Sequence, residues 1–156
     1  MTDPNHPSPS PRVHYGVVVL ALIVLAVFGS LGLARFGYTS ILPAMQEGIH
    51  LTNRQTGELQ SWNLLGYMLT VVAAGVLATR FGPRVVITIA LLVTGTGLVL
   101  TGLVPTFNGA RVGRFLAGVG GAGGNVPAVT LVAAWYGARR RGMASGIAVA
   151  GSSVGL

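Results

Sequence analysis

The twenty residues Val85-Val-Ile-Thr-Ile-Ala90-Leu-Leu-Val-Thr-Gly95-Thr-Gly-Leu-Val-Leu100-Thr-Gly-Leu-Val104 carry no charged side chain, and Arg84 precedes them while Pro105 follows. A helix of that length rises about 30 Å, the thickness of the hydrocarbon layer of a bilayer. Outward from it the same pattern recurs. Apolar runs alternate with short clusters rich in Arg, Gly and Pro, which predicts helices over about 15–43, 55–79, 85–104 and 110–136. A last run, 143–156, rises only about 21 Å and reads as a truncated fifth span. Residues 1–14 hold four prolines among polar residues and are expected to form a disordered cytoplasmic tail.

Composition excludes a soluble domain. Half of the 156 residues are hydrophobic and 8% are charged, with mean hydropathy +0.69, whereas soluble domains are about one quarter charged. The 24 glycines lie inside apolar stretches, where small residues let membrane helices approach closely. The expected fold is therefore an all-α membrane protein, a polytopic helical bundle. A signal peptide is excluded because the first apolar run is too long and others follow it.

Net charge is +7, and every basic residue is an arginine. That balance suggests nucleic acid, but the arginines lie in loops between apolar runs rather than along one face, so no nucleic-acid partner is expected. Arg12, Arg80, Arg84 and Arg139 to Arg141 fall on one side of the membrane and Arg54 on the other. The positive-inside rule then places the amino terminus in the cytoplasm, in a plasma or bacterial inner membrane. There is no cysteine, and His6, His14 and His50 have no ligand spacing, so neither metal nor cofactor is assigned. Gly118, Gly120 and Gly123 have the spacing of a dinucleotide-binding loop, but no Asp or Glu follows residue 58 to hold a ribose. The chain is not read as an enzyme.

Gly75-Val-Leu-Ala-Thr-Arg80-Phe-Gly82-Pro-Arg84, between the second and third spans, resembles the signature loop of the major facilitator superfamily, with Thr79 where the family usually has an acid. Arg114-Phe-Leu-Ala-Gly118-Val-Gly120 resembles that family's fourth-helix signature. Residues 34–45 (ARFGYTSILPAM) and 60–68 (QSWNLLGYM) are similar to its YbfB/YjiJ-like branch. Gly146, Gly151 and Gly155 lack the proline of the antiporter motif. The resemblance covers residues 15–156, about four and a half of twelve helices. It implies two six-helix halves around a midplane site, secondary active transport of a small solute by alternating access, proton coupling, and a conformational role for Gly75, Arg80, Gly82 and Arg84. The remaining helices of the full-length transporter would be its partners, with the lipid bilayer.

Ionisable and polar residues at membrane depth are the candidate site. Arg35 and Arg114 are expected to face a central cavity and hold a carboxylate or other anion, with Glu58 pairing one of them and exchanging a proton. Tyr38, Gln60, Asn63, Tyr67 and Asn125 offer hydrogen-bonding groups at membrane depth, and Tyr38, Asn63, Tyr67 and Asn125 are the candidates for substrate contact. The alternatives are a fixed Arg35–Glu58 ion pair, a Glu58 at the water interface, and polar groups that only join helices. For the whole chain they are a non-transporting sensor or assembly subunit, or an inactive truncated transporter.

Overall fold

The computed structural model describes residues 21–48, 50–135, Gly142, Gly146 and Ala150, with side chains of 31, 33, 35, 36 and 132–135 left aside. The expected tail and most of the last expected span lie outside these residues. Among those described the regular structure is all helix, joined by short turns: α1 (residues 21–27), a π-helical stretch Phe28–Gly37, α2 (Tyr38–Gly48), α3 (Asn53–Phe81), α4 (Pro83–Leu103) and α5 (Phe107–Trp135).

The first helical run differs from expectation at its end. It passes through Pro43 and reaches Gly48, rather than stopping near Pro43, because neighbouring groups can satisfy what a proline frees in such helices. His50 turns the chain with φ of 49°. Thr52 then starts α3 by a reciprocal cap: its hydroxyl accepts from Gln55 N at 3.3 Å, and its own N–H donates to Gln55 Oε1 at 2.9 Å. At the other end Gly82, with φ of +86°, closes α3 through N–H donation to the Ala78 carbonyl at 3.1 Å. Pro83 opens α4, where its missing N–H costs nothing. The chain thus reverses in one residue.

By length and composition, α3 and α4 are each apolar enough to cross a membrane. Their outward faces carry Leu69, Val72, Val76, Ile89, Leu92 and Val99, all exposed, a surface suited to lipid rather than water. Threonines within these helices donate back to carbonyls one turn earlier, Thr70 to Gly66 at 2.8 Å and Thr88 to Arg84 at 3.0 Å, which removes the cost of a bare hydroxyl in hydrocarbon.

α5 is the helix the others pack against, and glycine decides how closely. A Cβ on Gly118 would strike the Asn63 carbonyl of α3, and one on Gly66 of α3 would strike the Phe115 carbonyl of α5. Toward α4, a Cβ on Gly97 would lie 2.7 Å from the Gly113 carbonyl and one on Gly113 2.7 Å from that of Gly97. Both neighbours of α5 are therefore in backbone contact with it, as small residues allow in membranes. At one end Tyr38, Leu51, Leu59 and Ala110 form a buried cluster with Leu42, Met45 and Phe107. This ties the α2–α3 turn to the start of α5.

Candidate functional site

The site is built around Arg114. Because α5 begins at Phe107 rather than near residue 110, Arg114 lies about two turns inside it. Its side chain is fully buried. Nη1 donates to the Ala34 carbonyl at 2.9 Å and Nη2 to Gln60 Oε1 at 3.1 Å. The guanidinium carbon stands 3.9 Å from the centre of the Tyr38 ring, a cation–π arrangement. Ala34 falls in the π-helical stretch, and a return from i→i+5 to i→i+4 bonding leaves a carbonyl out of the ladder. The arginine supplies a donor there.

The Arg114 charge is thus held by neutral groups, with no carboxylate partner among the described residues. Its Nε and the Tyr38 hydroxyl are both buried without a hydrogen-bond partner among those residues. A cavity of about 210 Å³ adjoins them, walled also by Met45, Leu98 and Thr101. A second, much smaller cavity of about 20 Å³ lies between the first helix, α3 and α5, lined by Ser30, Gln60, Asn63 and Tyr67 among others. Gln60, Asn63 and Tyr67 share one face of α3 by their spacing.

The expected residues separate into groups. Tyr38, Asn63 and Arg114 come together: Asn63 Nδ2 donates to the Arg114 carbonyl at 2.9 Å. Tyr67 and Asn125 pair with each other, Nδ2 to hydroxyl at 3.1 Å. Glu58 stands apart from Arg114, 3.8 Å from Arg111, with both side chains near 40% exposed. Arg111 also lies over Trp62 at 5.0 Å, and Trp62 meets Phe115 edge to face at 6.2 Å. The Arg35 side chain lies outside the described residues. Gly75, Arg80, Gly82 and Arg84 are at the far end of α3, around the turn into α4.

Sequence reading set Gln60 among the hydrogen-bonding groups at membrane depth without its partner, and gave Arg111 no role. Gln60 is the side-chain acceptor for Arg114, and its place one turn before Asn63 was the available signal. Arg111, at the start of α5, is the partner of Glu58; its place at a helix start left even its side of the membrane undecided in the sequence.

A bundle of long apolar helices with a buried arginine among polar side chains defines a polytopic helical membrane protein. The chain belongs to the Major Facilitator Superfamily, whose profile matches residues 16–156. It is 30% identical over 112 residues to the nitrate/nitrite transporter NrtP of Nostoc punctiforme, covering 72% of this chain and 22% of that protein. It is 31% identical over 105 residues to the probable sulfoacetate transporter SauU of Cupriavidus necator, covering 67% of this chain and 24% of that one. The chain spans about a quarter of the length of these relatives. No solved structure matches it.

Proposed function

We propose that this chain is the amino-terminal part of a secondary active transporter that moves a small anionic solute by alternating access, and that it is not an enzyme. The observation that carries this reading is the fully buried guanidinium of Arg114, held only by a carbonyl, an amide oxygen and a ring among the described residues. A charge left unneutralised at membrane depth costs several kcal/mol by roughly any scale. A solute anion in the cavity beside Arg114 and Tyr38 would be drawn to that charge, and a shift that uncovers the buried guanidinium would offer it the unpaired Nε and the Tyr38 hydroxyl as donors. The two relatives are named for anions, nitrate or nitrite and sulfoacetate, which supports the same substrate class.

In this reading the amino terminus is cytoplasmic, in a plasma or bacterial inner membrane, and the remaining helices of the full-length protein complete the cavity. Arg35 joins Arg114 in holding the anion, and Asn63, Tyr67 and Asn125 contribute polar contacts. The solute is driven by protons, with Glu58 as the exchanging group. The turn bearing Gly75, Arg80, Gly82 and Arg84 takes part in the conformational change. Residues 34–45 and 60–68 support placement in the YbfB/YjiJ-like branch.

The test is uptake of nitrate, sulfoacetate and small carboxylates by the full-length protein in proteoliposomes under an imposed proton gradient. Arg114→Gln is expected to abolish uptake, while wild type is protected against heat by the transported anion and Arg114→Gln is not. The competing reading makes Arg114 a clamp that satisfies the Ala34 carbonyl and no more. Uptake retained in Arg114→Gln, or the same anion protection in both proteins, would favour the clamp.

A further inference from the structure

We propose that the groove between α3 and α4, with Arg80 and Arg84 at its end, binds an anionic phospholipid. The cavity measures about 320 Å³ and is walled by side chains such as Ala73, Leu77, Phe81, Val85 and Ile89, with Gly120 of α5 in its floor. Thr70 is its one hydroxyl-bearing wall residue, and that hydroxyl is committed to the Gly66 carbonyl at 2.8 Å. Nothing in the groove can recognise a polar solute. The volume exists because alanine and glycine stand where α3, α4 and α5 converge.

Its length fits one leaflet. From Thr70 to Phe81 the wall of α3 extends about 16 Å by helical rise, roughly half of the 30 Å hydrocarbon layer. At the end nearest the α3–α4 turn, Phe81 and Val85 line the groove, and Arg80 and Arg84 each precede one of them in sequence. Both arginines are exposed. The Arg80 guanidinium lies over the Phe81 ring at 5.8 Å, which fixes one charge beside the mouth of the apolar wall.

Charge selects the headgroup. The described residues offer Arg80 and Arg84 no carboxylate, and the sequence has no Asp or Glu after residue 58. Thr79 is neutral, and its hydroxyl turns back to the Val76 carbonyl at 2.8 Å. Two unneutralised guanidinium groups above an acyl-sized groove match a lipid phosphate, which arginine binds through paired donors. A headgroup with net negative charge is preferred over a zwitterionic one, whose own cation would face the arginines. This inference is independent of the transported solute.

The test uses the purified full-length protein in detergent, stripped of lipid and titrated with phosphatidylglycerol or phosphatidylcholine, with bound lipid counted by native mass spectrometry. Wild type is expected to retain phosphatidylglycerol in preference to phosphatidylcholine. The double variant Arg80→Gln, Arg84→Gln should bind phosphatidylglycerol about thirtyfold more weakly, and phosphatidylcholine, whose own cation offsets the same phosphate, should be weakened less. Ala73→Trp, which fills the exposed wall and leaves both arginines, should weaken both lipids. No preference in wild type, or phosphatidylglycerol binding undiminished by Ala73→Trp, would overturn the proposal. So would failure of wild type to bind either lipid, the result expected where another protein helix covers the groove.

Discussion

Replacing Gly118 by alanine tests how α3 and α5 are held together. The added Cβ would collide with the Asn63 carbonyl and come within 3.0 Å of Tyr67 N. Both are backbone atoms of α3, so the helices must separate rather than a side chain swing away. Overpacking of this kind costs about 1–3 kcal/mol, and an obstacle made of backbone belongs at the upper end. Alanine is about 1 kcal/mol better than glycine within a helix, so the net loss is about 2 kcal/mol. Gly75 in α3 provides the control, because a Cβ there meets nothing within 4 Å, and Gly75→Ala should be neutral or gain up to about 1 kcal/mol. For a protein of this size a loss of about 2 kcal/mol lowers the melting midpoint by roughly 4–8 °C. The assay is thermal unfolding in detergent followed by circular dichroism and by tryptophan emission. Trp62 lies edge-on to Phe115 at this interface and reports its opening. Equal midpoints for Gly118→Ala and wild type, or the same sign for both alanine variants, would refute the backbone-contact account.

Gly82→Ala should cost about 1–3 kcal/mol, because φ of +86° with ψ of 144° is a conformation that side chains resist; the melting midpoint measures it. Tyr67→Phe and Asn125→Leu should each destabilise, and their double variant should fall short of the sum by about 0.6 kcal/mol, the usual coupling for a hydrogen bond between membrane helices. Additive losses would mean that the bond contributes nothing. Glu58→Gln should leave stability within about 0.5 kcal/mol, since its pair with Arg111 is long at 3.8 Å and partly exposed, yet should reduce proton-driven uptake by the full-length protein. Undiminished uptake would end the proton role of Glu58.

How much of this was legible in the sequence depended on the range of the interaction. The apolar runs and the arginine clusters between them foretold α3, α4 and α5 to within a few residues, because hydropathy and caps act locally. Thr52 with Gln55, and Gly82 with Pro83, mark their boundaries by side-chain and backbone chemistry that any local reading can find. The end of the first run was misjudged at Pro43, where the local rule against proline yields to neighbouring helices. The π-helical stretch Phe28–Gly37 has three glycines but no periodic signal of its own. Arg114 was picked out by its cost at membrane depth. Its acceptor at Ala34 is 80 positions away, and nothing local joins the two. Nor did spacing show that Glu58 meets Arg111 rather than Arg114, since both arginines lie near one end of α5.

The contacts of α5 differ in kind around its circumference, and the difference bears on how a bound anion could be felt. Toward α3 and α4 it offers glycine at the closest approaches, where the backbone atoms in contact have no alternative arrangement short of separation. Toward the first helix it offers Arg114, whose Nη1 reaches the Ala34 carbonyl and whose guanidinium lies over the Tyr38 ring, and also Gly124, where an added Cβ would lie 2.7 Å from that of Ser30. Hydrogen bonds of a guanidinium can be exchanged for others of similar strength, whereas a glycine contact cannot be replaced. In the transport reading, an anion in the cavity beside Arg114 competes with Ala34 and Gln60 for the same N–H groups. Binding would then weaken the ties of Arg114 to Ala34 of the first helix and to Gln60 of α3, while the glycine contacts keep α3, α4 and α5 together. That is the differential contact a solute needs to bias one arrangement of helices over another.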